Sequence, residues 1–115
     1  MQNKNVLHKT ISDIAPTLTG HGVGEKRVLL SQQDHLSPIT QIAETYLKRG
    51  IIVEAHSHET MDEHFIFLQG KCMVIVDRES ILCEDGQYLL VPAGINHQIN
   101  VLIDTKLITI GVAKE

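Results

Sequence analysis

A chain of 115 residues is the size of one domain, and 43% hydrophobic against 21% charged residues is enough to pack a core. A net charge of −4 argues against a nucleic-acid partner, whose phosphate backbone calls for a basic face. No apolar run approaches the ~20 residues of a membrane-spanning helix, and the first residues carry no continuous apolar stretch of the kind a secretory leader needs. The expected location is cytoplasmic.

Aromatic residues are only 3% of the chain and Trp is absent, so Ile, Val and Leu must fill the core, and the balance leans towards sheet. In chain order, the first 35 residues suggest strands at 6–11 and 26–30, a short helical turn at 12–15, and a flexible glycine-spaced turn at His21–Gly24. Short apolar runs follow at 39–48, 51–56, 64–68, 72–76, 80–83, 88–92, 97–103 and 106–112. Turn signals separate them, among them Gln69-Gly70, Asp77-Arg78, Asp85-Gly86, Pro92–Gly94 and Asp104-Thr105. Many short strands with evenly spaced turns indicate an antiparallel all-β sandwich or barrel. A two-residue turn at Asp77-Arg78 would pair Val76 with Glu79 and set Cys72 opposite Cys83. Two buried thiols are the expected reading of that pair, ahead of a disulfide or a cysteine metal site.

Several runs are apolar on both faces. In HFIFL, Phe65 and Phe67 point one way and Ile66 and Leu68 the other. A sheet with one wet face should alternate more cleanly, so a second subunit is expected to cover one face, giving a homodimer.

His56 and His58 stand two residues apart, which on a strand places both imidazoles on one face, about 7 Å apart. Glu63 follows after a turn at 59–62 that would bring the chain back beside the first strand. Glu63 shares its parity with Phe65 and Phe67 and so faces inward. His97 comes just after the turn at 92–96 and can supply a third nitrogen. Three neutral imidazoles and a carboxylate suit Fe, Mn, Ni, Co or Zn and are poor ligands for Ca or Mg. In an octahedral sphere they leave two positions open, as expected of a working site rather than a structural one. An H-x-H pair alone is weak evidence, because a lone surface histidine is usually solvated.

The wider spacing is more specific. Gly50-x5-His56-x-His58-x4-Glu63-x6-Gly70 resembles the first signature motif of the cupin superfamily at every defining position, and Gly86-x5-Pro92-x-Gly94-x2-His97 resembles the second. The family's second motif ends with Asn at what would be position 101; here that residue is Val101, and Asn100 stands one place early. The resemblance implies a small single-domain cupin spanning 1–115, a double-stranded β-helix or jelly roll. Its N-terminal strands and loops would occupy 1–35, and its metal motifs 50–70 and 86–100. It also implies that His56, His58, Glu63 and His97 bind a divalent transition metal. Gly70 and Gly86 are expected where strands reverse with positive φ, and Pro92 where a strand ends.

Around this set, His64 is expected to face away and Asp62 to be solvated. Met61 is placed at the cavity mouth, and Glu54 and Tyr46 are the acid–base candidates for the cavity wall. His8, His21 and His35 receive no role. Two functions remain open. One is a metal-dependent enzyme on a small organic molecule, of dioxygenase, isomerase or decarboxylase type. The other is a non-catalytic module that binds or senses a small ligand. The apolar residues at interior parity, including Phe65, Phe67, Val74, Val76, Ile99 and Val101, suggest an apolar pocket for a mostly apolar substrate.

Overall fold

The structure is a computed structural model and describes residues 6–114. It contains β1 (Thr17–Leu18), β2 (Glu25–Ser31), β3 (Ile39–Leu47), β4 (Ile52–His56), β5 (Met61–Val76), β6 (Glu79–Glu84), β7 (Gln87–Val91) and β8 (His97–Ala113), with short 3-10 turns at Ile11–Asp13 and Gln32–Asp34. Every pairing is antiparallel, in the order β1-β2-β3-β8-β5-β6, with β4 on β8 and β7 on β5. The fold is the expected antiparallel jelly roll, and the sheet does not close. Among the described residues no helix is long and apolar enough to cross a membrane.

Two long strands organise the rest. The sequence suggests four strands where the structure has two: β5 runs through Gln69-Gly70, and β8 runs through Asp104-Thr105. The two turn signals lie across from each other, with Gln69 opposite Lys106 and Lys71 opposite Ile103, and register slips cluster there. They mark one shared bend instead of two reversals. Gly70 has φ 118°, and a Cβ on it would lie 2.6 Å from both the Asp104 carbonyl and the Thr105 Cα. Only glycine lets the two chains cross so closely. The amides disturbed by the bend are satisfied by side chains: Gly70 N–H donates to Asp85 Oδ1 at 2.7 Å and Lys71 N–H to Thr105 Oγ1 at 3.2 Å.

Past the bend, the first half of β5 pairs with β7 and the last half of β8. Its second half pairs with β6 and the first half of β8. The bend thus folds one ladder into two facing sheets. Between them Phe67, Cys72, Val74, Cys83, Val101 and Leu107 form the buried core. Val76 pairs with Glu79 and Cys72 with Cys83, as the Asp77-Arg78 turn requires. Both thiols are free and buried, and burial beside Cys72 pushes the Cys83 thiol up to about 11. The strand expected at 6–11 does not form. Residues 6–10 are exposed and without strand pairing, and the edge of β2 is taken by β1 instead.

Candidate metal centre

His56 ends β4, His97 opens β8, and the two are direct partners across that pair, their rings 4.3 Å apart. Strict alternation would turn His56 away from Val53, which is buried. A bulge between Val53 and His56 puts two residues of β4, Glu54 and Ala55, against one of β8, Gln98, and turns the imidazole inward. The same bulge removes Glu54 from the wall, where parity with His56 had suggested it: its side chain is exposed, and its carbonyl accepts a 2.8 Å hydrogen bond from His56 Nδ1. His58 lies past the end of β4, not on it. Its carbonyl accepts from Gly94 N–H at 2.8 Å, which ties its loop to the turn before His97. Glu63 comes from the facing sheet, on β5 opposite Gly111.

The four side chains each offer one ligand atom, and these atoms lie within 4.8 Å of one another. Nδ1 of His56 and Nδ1 of His97 are committed to backbone carbonyls, the latter to Ile95 at 3.1 Å, so the Nε2 atoms carry free lone pairs. Nε2 of His56, His58 and His97 and Oε1 of Glu63 are all buried and none has a hydrogen-bond partner. His58 Nε2 and His97 Nε2 each stand 3.4 Å from Glu63 Oε1, in reach of its charge but not bonded to it. Four converging donors left without partners are costly unless a cation receives them. The donor set, three imidazoles and one carboxylate, could hold a divalent transition metal.

The charges follow the same geometry. Burial alone would raise the Glu63 carboxyl, but His97 beside it and the fields of His58, His97 and His56 outweigh burial and hold it low. His97 is pulled down by burial, yet the Glu63 carboxylate and the Ile95 carbonyl leave it raised. His56 is lowered by burial and by its histidine neighbours, against the pull of the Glu54 carbonyl.

The surroundings correct several expectations. His21 was given no role, yet its ring lies 4.2 Å from that of His56 and 6.4 Å from that of His58, at the mouth of a cavity of about 100 Å³. The turn that carries it folds over the cavity because Gly24, at φ 77°, sits where a Cβ would lie 2.6 Å from Leu47 Cδ2. The signal for this was a histidine between glycines in the turn joining two strands, which composition alone reads as slack. The cavity is not uniformly apolar. Phe65, Leu107 and Ile99 line it, but so do Lys26, Gln41, Thr45 and Thr109 from the β2, β3 and β8 wall. Tyr46 is partly exposed and lies outside this cavity. Met61 does not line the cavity, and Thr40 Oγ1 donates to its sulfur at 3.3 Å. Asp62 is not free in solvent: its Oδ1 accepts from Ala93 N–H at 2.8 Å and fixes the turn that delivers His97. His64 faces away, as expected, and shares a 2.6 Å hydrogen bond with Tyr88 Oη. Asn100 also points out of the cavity and accepts from Gln98 Nε2, while Val101 is packed in the core.

An open jelly roll with three inward histidines and a glutamate at one end defines a class, and comparison with known proteins agrees. The Cupin domain family matches residues 44–110, and the chain belongs to it. No curated protein matches the chain. Among solved structures it is similar to a predicted oxalate decarboxylase from Thermotoga maritima, with TM-score 0.83 and 20% identity over 94% of this chain and all of that one. It also resembles ectoine synthase from P. lautus, with TM-score 0.81 and 14% identity over 93% and 78% of the two chains. The cupin domain of Schizosaccharomyces pombe Cnp3 aligns with TM-score 0.78 and 13% identity over 94% and 74%. At these identities the likeness is one of fold.

Proposed function

We propose that this chain is a divalent-metal-binding cupin that works in the cytoplasm as a metal-dependent enzyme on a small organic molecule, of the dioxygenase, isomerase or decarboxylase type. The observation that carries this reading is the set of four buried, unpartnered donor atoms within 4.8 Å of one another, set beside an open cavity. His56, His58, Glu63 and His97 are the ligands. A bound Fe, Mn, Ni, Co or Zn ion would supply Lewis-acid or redox chemistry to a small molecule entering the cavity. The histidine neighbours hold the Glu63 carboxyl below its ordinary range, which keeps it a carboxylate able to bind a cation. His21, over the mouth, is placed to contact whatever enters. The test is elemental analysis of tag-free protein, as isolated and after exposure to each metal. About one equivalent per chain is expected, with oxygen uptake assayed if the metal is iron. Less than a tenth of an equivalent under every condition refutes the reading.

A second reading, a module that binds or senses a small ligand without chemistry, is favoured by one observation. Both expected acid–base residues, Glu54 and Tyr46, lie outside the cavity. Ligand binding without turnover in metal-loaded protein would select it.

The same proposal includes a homodimer. Ile66, Leu68, Tyr88 and Leu90 are 36–58% exposed, and Ile66 pairs with Tyr88 across the outer face of β5 and β7. This is a continuous apolar strip that the chain itself leaves uncovered. A monomeric mass by light scattering at micromolar concentration would remove this part.

A further inference from the structure

The cavity has a second charged group that the metal reading does not use. Lys26 lines it from β2, part-buried, and is the only Lys or Arg among the described residues that does so. Its Nζ donates to Gln41 Oε1 at 3.1 Å, and among the described residues no carboxylate pairs with it. An ammonium has three donors, and Gln41 takes one of them, so Lys26 keeps donors free for an anion in the cavity.

Register fixes where this group stands. Glu63 pairs with Gly111, and Gly111 pairs with Gln41, so the three lie in one row across β5, β8 and β3. Two interstrand spacings put Gln41 about 10 Å from Glu63 at the backbone. Lys26 pairs with the buried Thr45, which pairs with Leu107, and reaches back from that inward-facing row to Gln41. The cavity therefore has two poles, the histidine–glutamate cluster at one and the Lys26–Gln41 pair at the other. Thr109 and Phe65, direct partners across β8 and β5, line the wall between them.

A divalent ion held by three neutral imidazoles and one carboxylate leaves one positive charge, and Lys26 adds another, in a chain whose net charge is −4. We propose that Lys26, positioned by Gln41, binds the carboxylate of a small organic acid whose other end carries metal-chelating oxygens. The substrate class is then a short dianionic acid, not the mostly apolar molecule that the strand pattern suggested. The inference rests on the metal reading above and deepens it.

The probes are acetohydroxamate and succinate monohydroxamate, which carry the same chelating head and differ by a terminal carboxylate. Calorimetry on manganese-loaded protein should show the carboxylated probe binding at least about tenfold tighter, the worth of one charged hydrogen bond. Lys26→Met should abolish the preference while manganese content stays unchanged, and Lys26→Arg, which keeps the charge, should retain most of it. Equal affinities in the wild-type protein, or a preference that survives Lys26→Met, overturn the proposal and leave the metal site standing. Protein that takes up neither manganese nor iron, cobalt, nickel or zinc overturns both, so the two failures are distinguishable.

Discussion

The interior of this protein has two ends built from the same strands, and they obey opposite rules. At the bend, Phe67, Cys72, Cys83, Val101 and Leu107 fill the space between the sheets, all at 4% exposure or less. The one polar side chain buried deep there, Thr105, is spent on Cys72 and the Ile103 carbonyl. At the open end, His56, His58, Glu63 and His97 converge with four polar atoms unpaired. A core wants its polar groups satisfied internally, whereas a binding site keeps them available. Four of the unpaired buried atoms converge on one point, which is what the proposed metal site requires and the closed end lacks.

The comparison is broken most severely by removing a ligand. His97→Ala should lower metal affinity on the order of a hundredfold or more, beyond the 10–100-fold typical of groups that only support a ligand. The far-UV circular dichroism should stay unchanged. Phe67→Ala, at the closed end, should do the reverse: about 3–5 kcal/mol lost in denaturant unfolding, with metal per folded chain unaltered. If Phe67→Ala emptied the metal site as completely as His97→Ala, the two ends would not be separable. Gly70→Ala should cost about 1–3 kcal/mol through backbone strain and the clash with Asp104 and Thr105, and should loosen both sheets at once.

A gentler probe is pH. Metal ligands must be deprotonated, and His97 is raised above its ordinary 6.5 by Glu63 and Ile95, against the pull of burial. The proton therefore competes with the cation from above pH 6.5 downward, and affinity should weaken as pH falls through that window. The linked stability of the metal-free protein runs the other way. The contribution of protonated His97 is fully present below 6.5 and is lost as pH rises through the folded value. Metal titrations and unfolding curves at pH 6 and 8 check both signs. Affinity that stayed flat over this range would remove His97 from the ligand set.

Much of this was legible in the sequence. The motif spacing named the four residues that converge, and the Asp77-Arg78 turn fixed the Cys72–Cys83 pairing to the residue. What was not legible came from local departures from alternation. The bulge between Val53 and His56 reverses parity in mid-strand, so Glu54 reads as a wall residue and is not one. Gly70 and Asp104-Thr105 read as reversals because a bend shared by two strands uses the same residues as a turn. His21 and Lys26 reach the cavity through a loop and through β2, whose placement depends on long-range register that no local pattern encodes.

The most direct test is anomalous diffraction from crystals of tag-free protein soaked in manganese. One peak is predicted between Nε2 of His56, His58 and His97 and a Glu63 oxygen, at about 2.0–2.3 Å from each, the usual range for such metal–ligand bonds. A peak bound elsewhere, or none near these four atoms while the crystals diffract well, would contradict the account.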